Sequence, residues 1–165
     1  MANSPTFDWH MTNLSNYINL SVLNVVPVQL SGLKLAQFGQ GSGLHGLPGD
    51  YTSPSRFVRA AVFSQSAIPS DNTRDAVLQA FHILNAFDIP LGAVRASKDG
   101  GMIAEYTTWT SAADLKDLTW SFRTYHDQSI RSVELRAALA AANGRMRTIP
   151  MDSHQPVQDV STSFK

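Results

Sequence analysis

Apolar residues recur along this chain with two different periods, and the change of period marks its organisation. Phe7, Met11, Leu14 and Ile18 fall at helical spacing after the Ser4-Pro5-Thr6 entry, which predicts a short helix over residues 7–20. Residues 22–38 are apolar but irregular, interrupted by Pro27 and Gly32, and read as a loop with short turn-like pieces. The apolar run from Arg56 to Ser64 is too short to separate a strand from the start of a buried helix. Residues 72–87 predict the clearest helix. Ser70, Asp71 and Asn72 offer N-caps, Asp75 suits the positive end of the helix dipole, and Val77, Ala80, Phe81 and Leu84 share one face. Pro90 bars its continuation.

Beyond Pro90 the period shortens to two. Residues 102–110, Met-Ile-Ala-Glu-Tyr-Thr-Thr-Trp-Thr, are rich in β-branched and aromatic side chains. After the polar link 114–117, Leu118, Trp120 and Phe122 alternate with polar neighbours, so the two runs predict an antiparallel hairpin. Residues 129–135 add a third strand, and Ala137–Ala142 predicts a helix stopped at Asn143-Gly144. The polar tail from Ser153 to Lys165 reads as loosely held. Helix, loop, helix and then strands make an α+β layering in which helices cover an antiparallel sheet.

Composition narrows the function classes. At 165 residues the chain is one domain or part of one, long enough for a single hydrophobic core, and 43% apolar content is ordinary for a globular chain. Thirteen basic residues balance thirteen acidic ones, which leaves no electrostatic footprint for nucleic acid or an anionic membrane. No stretch approaches the ~18 apolar residues of a membrane span. The N-terminus lacks the basic and apolar regions of a secretory signal, so the compartment stays open between cytoplasm and periplasm. Cysteine is absent, which excludes disulfides, thiolate metal sites and a cysteine nucleophile within this sequence. His10, His45, His82, His126 and His154 are scattered without metal-ligand spacing, and no cofactor is implied.

The glycines concentrate instead. Gly39, Gly41, Gly43, Gly46 and Gly49 stand in one short block that runs into Asp50-Tyr51-Thr52-Ser53-Pro54-Ser55-Arg56. Such a stretch loses much backbone entropy on folding and suits tight turns or close approach to a ligand. Residues 41–46 fit GxGxxG, but Pro48-Gly49 follows where a dinucleotide site needs a helix. Ser42 lacks the GxSxG frame of a serine hydrolase. His45 suits either a ligand contact or a loop-stabilising hydrogen bond. Arg56 suits two roles equally: binding a carboxylate or developing negative charge, or a salt bridge to Asp50 or a nearby loop carbonyl. Asn3, beside Ser4-Pro5, reads from its position alone as a helix cap, with donation to an oxyanion as the other role.

Longer segments carry a resemblance. Asn3-Ser4-Pro5-Thr6-Phe7-Asp8-Trp9-His10-Met11-Thr12-Asn13-Leu14-Ser15-Asn16-Tyr17 resembles the middle of the choloylglycine hydrolase and penicillin V acylase family. Phe38 to Arg59, above all Gly46-Leu47-Pro48-Gly49-Asp50-Tyr51-Thr52-Ser53-Pro54-Ser55-Arg56-Phe57, is similar to that family's second signature. Residues 109–116 and 122–125 resemble its late hairpin, and the segments occur in family order across residues 3–135. The resemblance implies the C-terminal half of a four-layer αββα N-terminal-nucleophile hydrolase sandwich with antiparallel sheets. It implies cleavage of linear amides such as conjugated bile salts, penicillin V or N-acyl homoserine lactones. Asn3 then matches the asparagine that helps form the oxyanion hole, and Arg56 the late site arginine.

The same resemblance expects an N-terminal cysteine nucleophile, which this sequence lacks. The chain is therefore expected to be a single partial domain over residues 1–165, inactive alone, whose partners are a missing cysteine-bearing N-terminal half and a small-molecule amide substrate. The complete enzyme is expected to be a homo-oligomer. A split-enzyme subunit and a non-catalytic ligand-binding or scaffold relative are the alternatives. Uncovered sheet faces and edges predict that the isolated chain associates.

Overall fold

A computed structural model describes residues 4–151 and 153–163 of the chain, which divide into two compact units, Met1–Ile68 and Pro69–Lys165. In the first unit, α1 (Phe7–Asn13) starts at Thr6, whose hydroxyl accepts from the Trp9 amide, and passes into a 3-10 turn over Leu14–Tyr17. The predicted helix over 7–20 is thus shorter and tightens before its end. Residues 22–38 hold more order than a loop. Strands β1 (Val28–Leu30) and β2 (Leu33–Leu35) pair antiparallel with Leu30 opposite Leu33. Ser31 and Gly32 between them both take positive φ, the turn that matches the twist of a two-residue hairpin. Their side chains stay exposed, so no alternation advertises these strands.

The run after the glycine block is a helix, α2 (Ser53–Ser66), with Pro54 in its first turn, where proline's missing N–H has no partner to lose. Val58, fully buried, anchors it.

In the second unit, α3 (Thr73–Asn85) begins as the sequence predicts. The Asn72 side chain accepts from the Asp75 amide at 2.9 Å and donates to the Asp75 carboxylate at 2.8 Å, a reciprocal cap. Phe81, 2% exposed, is the centre of its apolar face. The run 102–110 is not one strand. Its first part, β4 (Gly101–Glu105), pairs with an unpredicted β3 (Val94–Lys98) across Asp99-Gly100, again with both φ positive. Its end opens β5 (Trp109–Asp114), which pairs with β6 (Thr119–Thr124); β6 pairs in turn with β7 (Asp127–Glu134) in a three-stranded antiparallel meander. Leu118, expected in the strand, sits at φ 53° in the β5–β6 turn.

Strand β6 is covered on both faces. Phe122, 2% exposed, lies between the Trp120 ring at 4.6 Å and the Arg131 guanidinium at 4.7 Å. The opposite face carries Arg123, whose guanidinium lies 5.2 Å above the Phe81 ring and donates to the Asn85 side chain. Helix α4 (Leu135–Ala142) ends at Asn143 and Gly144, both left-handed, where the sequence places its stop. These helices and antiparallel sheets give the α+β class read from the sequence.

Candidate active site

The glycine block serves the fold before any ligand. Gly43 is buried and its carbonyl accepts from the Ser21 amide at 2.9 Å; a Cβ there would overlap the carbonyl oxygens of Leu23 and Ser21. The Asn24 carboxamide oxygen accepts from the Gly41 amide at 2.7 Å and the Ser42 amide at 3.2 Å, while the Val25 amide donates to Ser42 Oγ at 2.8 Å. A 3-10 turn over Ser42–Leu44 therefore lies within residues 41–46, clasped by residues 21–25, and the next helix opens only at Ser53. His45 is exposed.

The segment that follows is built to present the start of α2. The Asp50 carboxylate accepts from the Thr52 amide at 2.9 Å, the Thr52 hydroxyl at 2.6 Å and the Ser55 hydroxyl at 2.6 Å. The Ser55 bond, then those from Thr52, hold its pKa well below the usual carboxylate range, at about 2. The stability this gives is complete above the ordinary aspartate pKa of about 3.9 and is lost as pH falls toward 2. A chemical-denaturation series across that window is expected to show Asp50→Asn losing part of the wild-type acid dependence. Identical pH curves for the two chains would refute the assignment.

Arg56 occupies the first turn of α2, half-buried. Neither alternative partner is used: Asp50 is committed to Thr52 and Ser55, and the loop carbonyls are taken by another arginine. Arg56 Nε is buried with no hydrogen-bond partner among the described residues. Arg59, one turn later and 4% exposed, donates from Nη1 to Pro48 O and Asp50 O, each at 2.7 Å, and so fastens the block to α2. The structural role weighed for Arg56 belongs to Arg59.

Beside Arg56, α1 meets α2 through rings. His10, 4% exposed, stacks on Phe57 with centroids 4.5 Å apart and planes 11° from parallel. Phe7 meets the same ring edge-on at 5.9 Å. His10 Nδ1 is buried with no hydrogen-bond partner among the described residues. As one of five scattered histidines, His10 carries no ligand signal in the sequence. Its spacing from Phe7, three residues earlier, is the signal that it belongs to the packed face of α1. Asn3 lies outside the described residues. Among the described residues no cluster of three His, Asp or Glu side chains is arranged for a metal ion, and no helix is long and apolar enough to cross a membrane.

Comparisons with known proteins agree on one relationship. Residues 1–149 match the family of linear amide C–N hydrolases, choloylglycine hydrolase family. The chain is 35% identical over 135 residues to a bile salt hydrolase/transferase of Clostridium perfringens (strain 13 / Type A), covering 82% of this chain and 40% of that protein. It is 39% identical over 133 residues to a bile salt hydrolase/transferase of Bifidobacterium longum, covering 80% and 41%. A crystal structure of a variant conjugated bile acid hydrolase from Clostridium perfringens superposes with a TM-score of 0.83 at 30% identity, over 98% of this chain and 48% of that one. Penicillin V acylase from Agrobacterium tumefaciens, at 21% identity and a TM-score of 0.56 over 82% of this chain and 35% of that one, shares the fold. The chain spans about two fifths of the length of the curated relatives it matches.

Proposed function

Because the chain belongs to the choloylglycine hydrolase family of linear amide C–N hydrolases, we propose that it forms the Arg56-bearing part of an enzyme that cleaves the amide of conjugated bile salts. The observation that carries this is Arg56 itself: a cation in the first turn of α2 whose buried Nε has no hydrogen-bond partner among the described residues. A guanidinium held by its helix yet unpaired is free to meet negative charge on a substrate. The names of the relatives, bile salt hydrolases, favour conjugated bile salts over other linear amides.

The nucleophile comes from a cysteine-bearing polypeptide outside this sequence, which contains no cysteine. Its thiolate adds to the amide carbon, and the carbonyl oxygen takes up the negative charge. Asn3 donates its side-chain N–H to that oxyanion, a contribution of roughly 3–4 kcal/mol in well-studied hydrolases. Arg56 adds a fixed positive charge. Collapse of the tetrahedral intermediate breaks the C–N bond, the amine leaves with a proton, and water then hydrolyses the thioester to release the bile acid and restore the thiol. The exposed apolar side chains of the β1–β2 hairpin, Val28, Leu30, Leu33 and Leu35, support assembly of the complete enzyme from several copies.

Complementation tests the reading. The chain is co-expressed with the cysteine-bearing N-terminal part of a bile salt hydrolase, and amine release from a conjugated bile salt is followed. Release that needs both polypeptides is the expected result. No release, where the relative's own two parts do reconstitute, would overturn it. Saturable binding of the conjugate by this chain, with no turnover in the reconstituted pair, would favour a ligand-binding protein instead.

A further inference from the structure

Helix α4 ends on the one asparagine of the chain that glycine follows. Asn143 and Gly144 are both exposed and both take left-handed φ, 49° and 70°. The Asn143 amide is committed to the carbonyls of Leu139 and Ala140, and the Arg145 amide to that of Ala142. Between them, the Gly144 amide and the Asn143 side chain take part in no hydrogen bond among the described residues. The space where a Cβ on Gly144 would stand is open. Other asparagines are held: Asn13 accepts from Asn16, Asn24 serves the clasp, Asn72 caps α3 and Asn85 accepts from Arg123. At Asn19 the amide of the next residue, Leu20, is bound to Tyr17 O.

We propose that Asn143 is a self-modification site, which converts through a cyclic imide to isoaspartate and thereby releases residues 145–149 from α4. The Gly144 nitrogen, unshielded because glycine has no side chain, gives up its proton and bonds to Asn143 Cγ. The Cγ–Nδ2 bond breaks, and Nδ2 leaves as ammonia with that proton. Water then adds to the imide. Opening at Cγ gives aspartate; opening at the main-chain carbonyl gives isoaspartate, whose backbone is longer by one methylene. Local charge favours the first step. Residues 135–151 carry Arg136, Arg145 and Arg147 with no carboxylate side chain, and positive charge stabilises a deprotonated amide. Glu134, at the far end of α4, is spent on the amides of Arg136 and Ala137.

The modification falls where it alters the fold. Beyond the Asn143-Gly144 turn the chain folds back, and a cavity of about 570 Å³ lies between Leu139 and Ala142 of α4 and Met146 and Ile149. An added methylene shifts the turn that aims residues 145–149 at the helix. The new carboxylate stands at the negative end of the helix dipole, which disfavours it there. Neither the chemistry nor its readout involves Arg56 or amide hydrolysis of a substrate.

Ageing the full chain at body temperature in mildly alkaline buffer tests the site. Tryptic peptide 137–145 has Asn143 as its one amide side chain. It is expected to gain the mass of an amide-to-acid exchange and to split into aspartyl and isoaspartyl forms. That change is expected at least tenfold faster than in the peptides bearing Asn13, Asn24, Asn72 or Asn85, and to be absent from the Asn143→Gln chain. Native-state tryptic cleavage after Arg147 is expected to be at least tenfold faster in the isoaspartyl chain than in fresh chain or in Asn143→Asp, which has the charge without the methylene. An unchanged peptide 137–145, equal conversion at the other asparagines, or isoaspartate confined to Asp99-Gly100 would overturn the site. Equal cleavage of aged, fresh and Asn143→Asp chains would overturn the release.

Discussion

Gly43→Ala is expected to unfold much of the first unit. The added Cβ would collide with two backbone oxygens, those of Leu23 and Ser21, rather than with a side chain that can swing away. Relief requires the 21–25 and 41–43 segments to separate. That movement breaks the Ser21-to-Gly43 bond and the bonds that Asn24 and Ser42 make across the clasp. Each such bond contributes about 0.5–1.5 kcal/mol, and overpacking adds about 1–3 kcal/mol. The sum, on the order of 3–9 kcal/mol, is comparable with the ~5–15 kcal/mol that holds a domain together. Gly39→Ala and Gly49→Ala are the controls. Neither site has an atom within 4 Å of the added methyl or a left-handed φ, so each is expected to be neutral or to stabilise by about 0.4–1 kcal/mol. Urea midpoints for the three chains decide the matter. Equal losses at all three positions would show that the clasp is not what the glycine at 43 is for.

Arg56→Ala is expected to lower kcat of the reconstituted enzyme about 10²–10³-fold, the loss seen when one fixed oxyanion-stabilising group is removed from a hydrolase. Arg56→Lys restores the charge but not the planar fork, and is expected to recover only part of that loss. Stability gives the opposite readout. Because Nε has no hydrogen-bond partner among the described residues, removing the guanidinium leaves the melting temperature unchanged or slightly raised. A residue kept for the fold would behave in reverse, with a lowered melting temperature and unaltered kcat. Arg59, bonded to the carbonyls of Pro48 and Asp50, has the geometry of that second kind.

How much was legible in the sequence varies with how local the deciding interaction is. Helix α3 was readable because its cap, Asn72 with Asp75, and its face around Phe81 lie within a few turns of one another. The stop at Asn143-Gly144 was readable for the same reason. The two exposed hairpins were missed because their side chains show no buried-polar alternation; only the Asp99-Gly100 dipeptide spoke for one of them. Residues 102–110 looked continuous because propensity does not see the break at 106–108. There Thr107 bonds Ile89 and the Thr108 carbonyl accepts from Tyr125, both distant in sequence. For α2, Thr52-Ser53-Pro54 was a helix-start signal that the apolar run obscured.

At the candidate site, the sequence marks Arg56 as a position to weigh between two roles, but its environment is not legible there. The competitor for its partners, Arg59, acts through backbone carbonyls, which carry no residue identity to read. His10 was likewise invisible as a buried ring, since its partner Phe57 lies on another helix.

The clasp between residues 21–25 and 41–43 has a further consequence for what lies inside it. Everything from Val26 to Gln40, including the β1–β2 hairpin, hangs from a closed stem and reaches solvent on both faces. Segments of this kind tolerate changes in length, since each halving of a flexible loop lowers its closure entropy by only about 0.6 kcal/mol. The hairpin is therefore an exchangeable cassette. Its length can change while the clasp holds residues 41–43 and Arg59 fastens Pro48 and Asp50 to α2, so the hairpin and the first turn of α2 are tethered by separate sets of bonds.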